Sequence, residues 1–271
     1  MVIPASKPLV FDLEESVRFV EARSEFLRAF LATFREPLQL KTALDVGCGV
    51  GYFSGLLQQL GLEVSAFDGR ESNIAEAQRR HPGVKFFVAD VEELNGRETG
   101  AFDLVLCFGL LYHLENPLRA LRRLHAVTGK VLLIESVCVP EQAPLFYMRD
   151  EPELADQALH AVACYPTEGA LVKMAYAAGF PAVYRAARLP EHEDFRPRLG
   201  RRPRRTIIVA PVSPIQDSSL VLADEPSGRG DLWSSDPTGL LKVRRKLQAF
   251  IKRPWAENWA RLRRRYGSAG K

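Results

Sequence analysis

Residues 42 to 53, Thr-Ala-Leu-Asp-Val-Gly-Cys-Gly-Val-Gly-Tyr-Phe, constrain this chain more than any other stretch. A short apolar run breaks into three glycines and then into a helical pattern, so it reads as a strand, a tight turn and a helix start. Gly47, Gly49 and Gly51 carry no Cβ, which opens backbone angles closed to other residues and lets a ligand approach the main chain. The helix that follows, from Tyr52 to about Leu60, aims unpaired N–H groups and a positive dipole end at the same spot. Such a turn suits a nucleotide or an amino-acid carboxylate. Its spacing is G-x-G-x-G, not the G-x-G-x-x-G of dinucleotide binders, which counts against a nicotinamide-dependent dehydrogenase.

The rest of the chain supplies the alternation that a parallel sheet needs. Glu63 to Asp68, Val84 to Val88, Ala101 to Phe108, Gly129 to Val137, Ala182 to Arg188 and Arg205 to Pro211 read as further strands. Helical patterns separate most of them: Glu71 to Arg80, Asn116-Pro117 to about Ala126, and Thr167 to Ala178. This implies βαβ units with right-handed crossovers. An amphipathic helix over 12 to 36, begun at Asp12 and ended by Pro37, precedes the sheet and is expected either to pack on it or to cover the pocket. From 139 to 166 the rhythm lapses into prolines, charges and aromatics, which predicts a substrate or lid segment.

The expected organisation is a helical segment over 1–38, a nucleotide-type domain over 39–211, a Ser/Pro/Gly-rich linker over 212–239 and a basic amphipathic helix over 240–271. Charge divides along the same line. Residues 1 to 195 carry 19 Lys and Arg against 27 Asp and Glu, whereas residues 239 to 271 carry 11 against 1. A polyanion, either RNA or an anionic membrane surface, is therefore to be sought at the C-terminus and not on the acidic body. Cys48, Cys107, Cys138 and Cys164 stand far apart, with no metal-ligand spacing, and read as reduced thiols. No membrane span or signal profile is present in the sequence, so the expected home is the cytoplasm, with the membrane periphery left open by the tail.

Four motifs in order and at matching spacing, "LDVGCGVGYF", "VSAFDGRESNI", "FFVADVEEL" and "FDLVLCFGLLYHLENPLRALRRL", resemble those of class I S-adenosylmethionine-dependent methyltransferases over about residues 40 to 211. The resemblance implies a Rossmann-like α/β fold: seven mostly parallel strands, the last inserted antiparallel, with helices on both faces. It also implies S-adenosyl-L-methionine as cofactor. Carried over by position, Asp45 and the backbone of Gly47, Cys48, Gly49 and Gly51 would hold the methionine part. Asp68, with Gly69 behind it, would accept from the ribose hydroxyls, Asp90 with the Val91 amide would read adenine, and Phe108 and Gly109 would line the sulfonium region. These assignments agree with what carboxylates do, since they accept from donor-rich ammonium, hydroxyl and amino groups.

A sulfonium methyl is already activated, so the acceptor mainly needs positioning. A hydroxyl acceptor also needs a general base, and His113, following the fourth strand, is the candidate, with Tyr112 beside it in the pocket wall. The segment "LLYHLENPLRALRRL" followed by "VLLIES" is also similar to tRNA wobble-uridine carboxymethyltransferases. In those enzymes a tyrosine of this segment and a later arginine help bind a carboxylated cofactor; Tyr112 matches the first and Arg205 loosely the second. Methyl transfer to a small molecule or saccharide, with oxygen as the expected acceptor atom, is the main reading. A tRNA or other nucleic-acid substrate gripped by the basic tail is the alternative.

Overall fold

Alternate residues of the central strands bury toward opposite faces, and this two-residue period sets the layering. In the computed structural model, which describes residues 9–141, 143–152, 154–196 and 204–226, β1 (Thr42–Val46), β2 (Glu63–Asp68), β3 (Lys85–Val88), β4 (Phe102–Phe108) and β5 (Thr128–Cys138) are parallel neighbours. Leu44, Val46, Val105, Cys107, Leu132 and Ile134 point into one core. Ala43, Leu104, Leu106, Val131 and Leu133 point into the other. A one-residue register slip would exchange these sets wholesale, so burial of both faces fixes the pairing.

Helices close each face. Against the second core pack α1 (Glu14–Phe34), through Leu27, Phe30 and Phe34, then α2 (Tyr52–Gln59) and α3 (Glu71–Arg80). Beyond the short α4 (Gly96–Thr99), the first core is covered by α5 (Pro117–Val127), which begins on a proline whose fixed φ suits a first helical position. Between β5 and the last helix, β6 (Phe146–Asp150) and β7 (Val162–Pro166) form a separate antiparallel ribbon. α6 (Glu168–Ala178) then starts where the Thr167 hydroxyl accepts from the Ala170 N–H and stops at Gly179, whose φ of 116° is left-handed.

The sheet is completed by β8 (Tyr184–Ala186), β9 (Arg204–Pro211) and β10 (Leu220–Leu222) in the order β10-β8-β9-β5-β4-β1-β2-β3, with β9 antiparallel to both neighbours. The seven-stranded expectation is met and exceeded by one. Leu220–Leu222, read from the sequence as linker, pairs antiparallel to β8, and its three residues are too few to stand out against Ser, Pro and Asp neighbours. The described residues form one compact unit; residues 227–271, which contain the rest of the expected linker and the expected basic helix, lie outside them. Among the described residues no helix is long and apolar enough to cross a membrane. Strand order reverses between β1 and β4, and a crevice at the carboxyl ends of the strands is where a sheet of this kind binds ligands.

Candidate active site

The glycine turn occupies that crevice. Gly47 and Cys48 donate their N–H groups to Phe67 O at 2.9 and 3.0 Å, which pins the turn to β2. Gly47 (φ 69°) and Gly49 (φ 54°) are left-handed, and a Cβ would stand 3.0 Å from Leu110 at the first and 3.1 Å from Phe11 at the second. Around the turn opens a cleft of about 410 Å³, walled by α1, the ends of β2, β3 and β4, and residues 155–160 of the β6–β7 connection.

One end of the cleft is acidic. Asp68 Oδ2 accepts from the Gly49 N–H at 3.0 Å, and its Oδ1 accepts from the Arg70 N–H and from Asn73 Nδ2. Asp90 Oδ1 accepts from the Glu92 N–H at 2.8 Å, while Oδ2 lies 3.2 Å from His160 Nε2. His160 belongs to the segment that covers this end. Arg70 donates to Gln157 O and Ala158 O, each at 3.0 Å, and Asn73 Nδ2 to Ala155 O at 3.1 Å. Of the segment 139–166, residues 155–160 are thus the part held beside this end of the cleft, by the residues that follow Asp68.

Beyond Gly109 lies a histidine–glutamate pair. His113 closes a 3-10 turn (Leu111–His113), and its Nδ1 lies 2.5 Å from Glu151 Oε2. Glu151 is 4% exposed and also accepts from the Tyr165 hydroxyl at 2.8 Å and from the Ala158 N–H at 3.0 Å. Burial lowers the His113 pKa below its ordinary value, with Glu151 pulling the other way. Burial also works to raise the Glu151 pKa, but hydrogen bonds from His113 and Tyr165 outweigh it and hold it below the usual range. With Nδ1–H given to the carboxylate, Nε2 keeps its lone pair and is the atom that can take a proton.

A third group joins α1, β5 and β9. Glu135, fully buried, accepts from Arg205 Nη1 at 2.9 Å through Oε1 and from Arg23 Nη1 at 3.2 Å through Oε2. Arg205 Nη2 donates to the Tyr112 hydroxyl at 3.1 Å, and the Phe19 ring lies 3.9 Å from the Arg23 guanidinium and 4.4 Å from that of Arg205. Burial disfavours charge on Arg205, but Glu135 and Tyr112 outweigh it and raise its pKa; for Arg23 burial prevails and the pKa falls.

Of the residues singled out in the sequence, Gly47, Cys48, Gly49, Asp68, Gly69 and Asp90 line the cleft. So do Val91, Phe108, Gly109, Tyr112 and His113. Asp45 does not: it is 2% exposed beneath the turn, accepting from the Ser54 hydroxyl at 2.6 Å, and burial pushes its pKa up to about 6. Gly51 does not line the cleft either. It caps α2 at φ 85°, and a Cβ there would stand 3.0 Å from both His81 and Phe86, so close packing against the end of α3 and the start of β3 requires this glycine. Three site residues went unremarked as such in the sequence. Arg23 looked like one charge on an amphipathic helix, Glu135 like a strand end, and Glu151 sits among prolines and acids with no periodicity to place it.

A sequence profile of the methyltransferase domain family matches residues 44–130, from β1 through the start of β5. Residues 44–130 are a methyltransferase domain. Curated relatives of this domain include the ubiquinone biosynthesis O-methyltransferase of Xanthomonas oryzae pv. oryzae, 37% identical over 98 residues, which are 33% of this chain and 41% of the relative. The enzyme of the same name from Bordetella avium is 35% identical over 111 residues, 40% of this chain and 46% of its own. The chain thus spans less than half the length of the curated relatives it matches.

Among solved structures, the N-terminal domain of EvdMO1 with SAH bound superposes with a TM-score of 0.58 at 24% identity, covering 69% of this chain and 80% of that one. Magnesium protoporphyrin IX methyltransferase from Synechocystis PCC 6803 with bound SAM gives 0.52 at 19%, covering 77% and 87%. These likenesses establish that the methyltransferase domain has the class I fold, with its helices and mostly parallel sheet.

Proposed function

We propose that this chain is an S-adenosylmethionine-dependent O-methyltransferase acting on a hydroxyl group of a small molecule or saccharide. The observation that carries the reading is the His113–Glu151 pair in the same cleft as the glycine turn and the carboxylates Asp68 and Asp90. The cleft fits the cofactor on its own chemistry. Gly47 and Gly49 bare the backbone where a Cβ would crowd Leu110 and Phe11, and two carboxylates face the space where hydroxyl and amino donors would sit. Asp68 would hold the ribose, Asp90 and the Val91 amide the adenine, and the Gly47–Gly49 backbone with Phe108 and Gly109 the methionine and sulfonium region. When bound, S-adenosylmethionine supplies an electrophilic methyl group.

The protein's own work is positioning and proton removal. The α1 wall holds the acceptor while the 155–160 segment covers the cofactor end, and orientation of this kind is worth about 7 to 11 kcal/mol of barrier. His113 Nε2 takes the hydroxyl proton while Glu151 holds Nδ1–H and steadies the imidazolium so formed, an acid–base contribution of about 10²- to 10⁴-fold. The O-methyltransferase names of the curated relatives support oxygen as the acceptor atom. The cytoplasm remains the proposed location. Contact with RNA or a membrane surface would run through the tail, which lies outside the described residues.

Thermal unfolding with S-adenosylhomocysteine tests the cofactor assignment. At about 100 times its dissociation constant a ligand stabilises by about 2.7 kcal/mol, a rise of several degrees for a protein of this size. No rise would sink the reading.

One contact favours carboxymethyl transfer as a second reading: Arg205 Nη2 on the Tyr112 hydroxyl joins the two positions that match the carboxylate-binding pair of the wobble-uridine enzymes. A clearly larger rise with carboxy-S-adenosylmethionine would favour it.

A further inference from the structure

We infer that Arg205 and Tyr112 form a carboxylate subsite for the acceptor, so that the substrate is a hydroxylated carboxylic acid presenting its hydroxyl to His113. The inference rests on the O-methyl transfer reading and names its substrate class.

It starts from an imbalance of donors and acceptors. Two guanidinium groups carry five N–H donors each. In the buried part of the cleft wall they share one carboxylate, Glu135. Asp194, the other acid on Arg205, stands 3.9 Å from Nε at a partly exposed position. Arg23 Nε is buried with no hydrogen-bond partner among the described residues. Two buried guanidinium groups on one buried carboxylate leave positive charge under-compensated, and a carboxylate entering the cleft at Arg205 offsets it. A planar guanidinium fork also matches the two oxygens of a carboxylate.

Placement separates Arg205 from the glycine turn and the nucleotide end, while the Tyr112 hydroxyl stands 3.8 Å from where a Cβ on Gly109 would be, on the sulfonium side. The neighbours of Arg205 are Glu135, Tyr112, Phe19 and Asp194, none of them on the glycine turn or at the β2 and β3 ends. Arg23, by contrast, also lies 5.0 Å from the ring of Phe53, the second residue of α2. The Tyr112 oxygen accepts from Arg205, which leaves its O–H proton to donate to an anion. The Tyr112 ring lies 4.1 Å from that of His113, so subsite and base stand one side chain apart. An acid group held by the first delivers a nearby hydroxyl to the second.

Titration calorimetry with matched pairs tests this: 4-hydroxybenzoate against 4-hydroxybenzamide, and glucuronate against glucuronamide, each with and without saturating S-adenosylhomocysteine. At least one acid is expected to bind about tenfold more tightly than its amide, a difference of about 1.4 kcal/mol. Arg205→Met should abolish that preference with S-adenosylhomocysteine affinity within about twofold of the parent, two- to tenfold steps being well separated on this scale. Tyr112→Phe, which keeps the ring, should weaken the acid and leave the amide unchanged, and it carries the test if Arg205→Met does not fold. Equal binding of acid and amide in both pairs overturns the inference. So does loss of S-adenosylhomocysteine or carboxy-S-adenosylmethionine binding in Arg205→Met with the acid preference intact, which would give the subsite to the cofactor. Failure of S-adenosylhomocysteine to bind the parent is a separate result: it removes the methyltransferase reading, while the acid–amide comparison without it still decides the subsite.

Discussion

Glu151 Oε2 lies 2.5 Å from His113 Nδ1 across 38 residues of sequence, and the same oxygen accepts from the Ala158 N–H. One buried carboxylate thereby orients the candidate base and anchors the segment that covers the acidic end of the cleft. Loss of Glu151 should act on both.

His113→Gln should lower kcat for a hydroxyl acceptor by about 10²- to 10⁴-fold while S-adenosylhomocysteine affinity is retained. In the parent, kcat/KM should fall as His113 gains a proton, and because burial lowers its pKa this acid limb lies below the ordinary histidine value. Glu151 favours the protonated imidazole, so Glu151→Gln should move the limb to still lower pH as well as reducing kcat. A pH profile of each variant checks both directions; an unmoved limb in Glu151→Gln would remove Glu151 from the proton chemistry.

Asp68→Ala should abolish the thermal rise given by S-adenosylhomocysteine and should also cost stability without ligand. The Gly49 and Arg70 N–H groups and Asn73 Nδ2 all lose an acceptor together. Each buried donor left unpaired costs about 1 to 3 kcal/mol. Unfolding scans with and without ligand separate the two effects.

Two glycines of the turn should behave differently. Gly51→Ala forces a Cβ at φ 85° against His81 and Phe86, away from the cleft, and should destabilise by about 1 to 3 kcal/mol with ligand affinity kept. Gly49→Ala places its methyl against Phe11, a cleft residue, and should weaken S-adenosylhomocysteine as well. Paired calorimetry and denaturant titration give the contrast.

Asp45 sets a pH dependence of stability with an unusual sign. Its folded pKa of about 6 lies above the unfolded value, so the native state keeps a proton that the unfolded chain releases from about pH 4 upward. Its contribution is fully present below the unfolded pKa and is lost as pH rises through the folded one. Asp45→Asn has no such proton to lose. Its stability relative to the parent should therefore grow by about 3 kcal/mol between pH 4 and above pH 6, measured by denaturant unfolding. A difference that is flat with pH would show that Asp45 titrates normally.

The strands and the glycine turn were legible because local chemistry fixes them: an apolar run of two-residue period, glycines at left-handed angles, Pro117 and Thr167 at helix starts. Asp68 and Asp90 were legible because the first ends β2 and the second stands two residues past β3, and His113 because it lies in the short connection between β4 and Pro117. Arg23, Glu135 and Glu151 were not, because what brings them to the cleft is tertiary. Arg23 reaches it only when α1 packs on the sheet, Glu135 gains Arg205 only when β9 inserts beside β5, and Glu151 arrives only when β6 and β7 fold back on each other. Asp45 and Gly51 mislead in the opposite sense. They belong to the motif in sequence, yet their side-chain positions serve the interior beneath it.

The cover over the acidic end is stitched down by the residues that follow Asp68. Arg70 and Asn73 grip the carbonyls of residues 155, 157 and 158, and Asn73 and the Arg70 amide also bond Asp68. Whatever sits on Asp68 is thus fenced by the neighbours that steady Asp68 itself. Departure then calls for three carbonyl contacts to come undone, so dwell time in the cleft becomes a property of this seam, adjustable at Arg70.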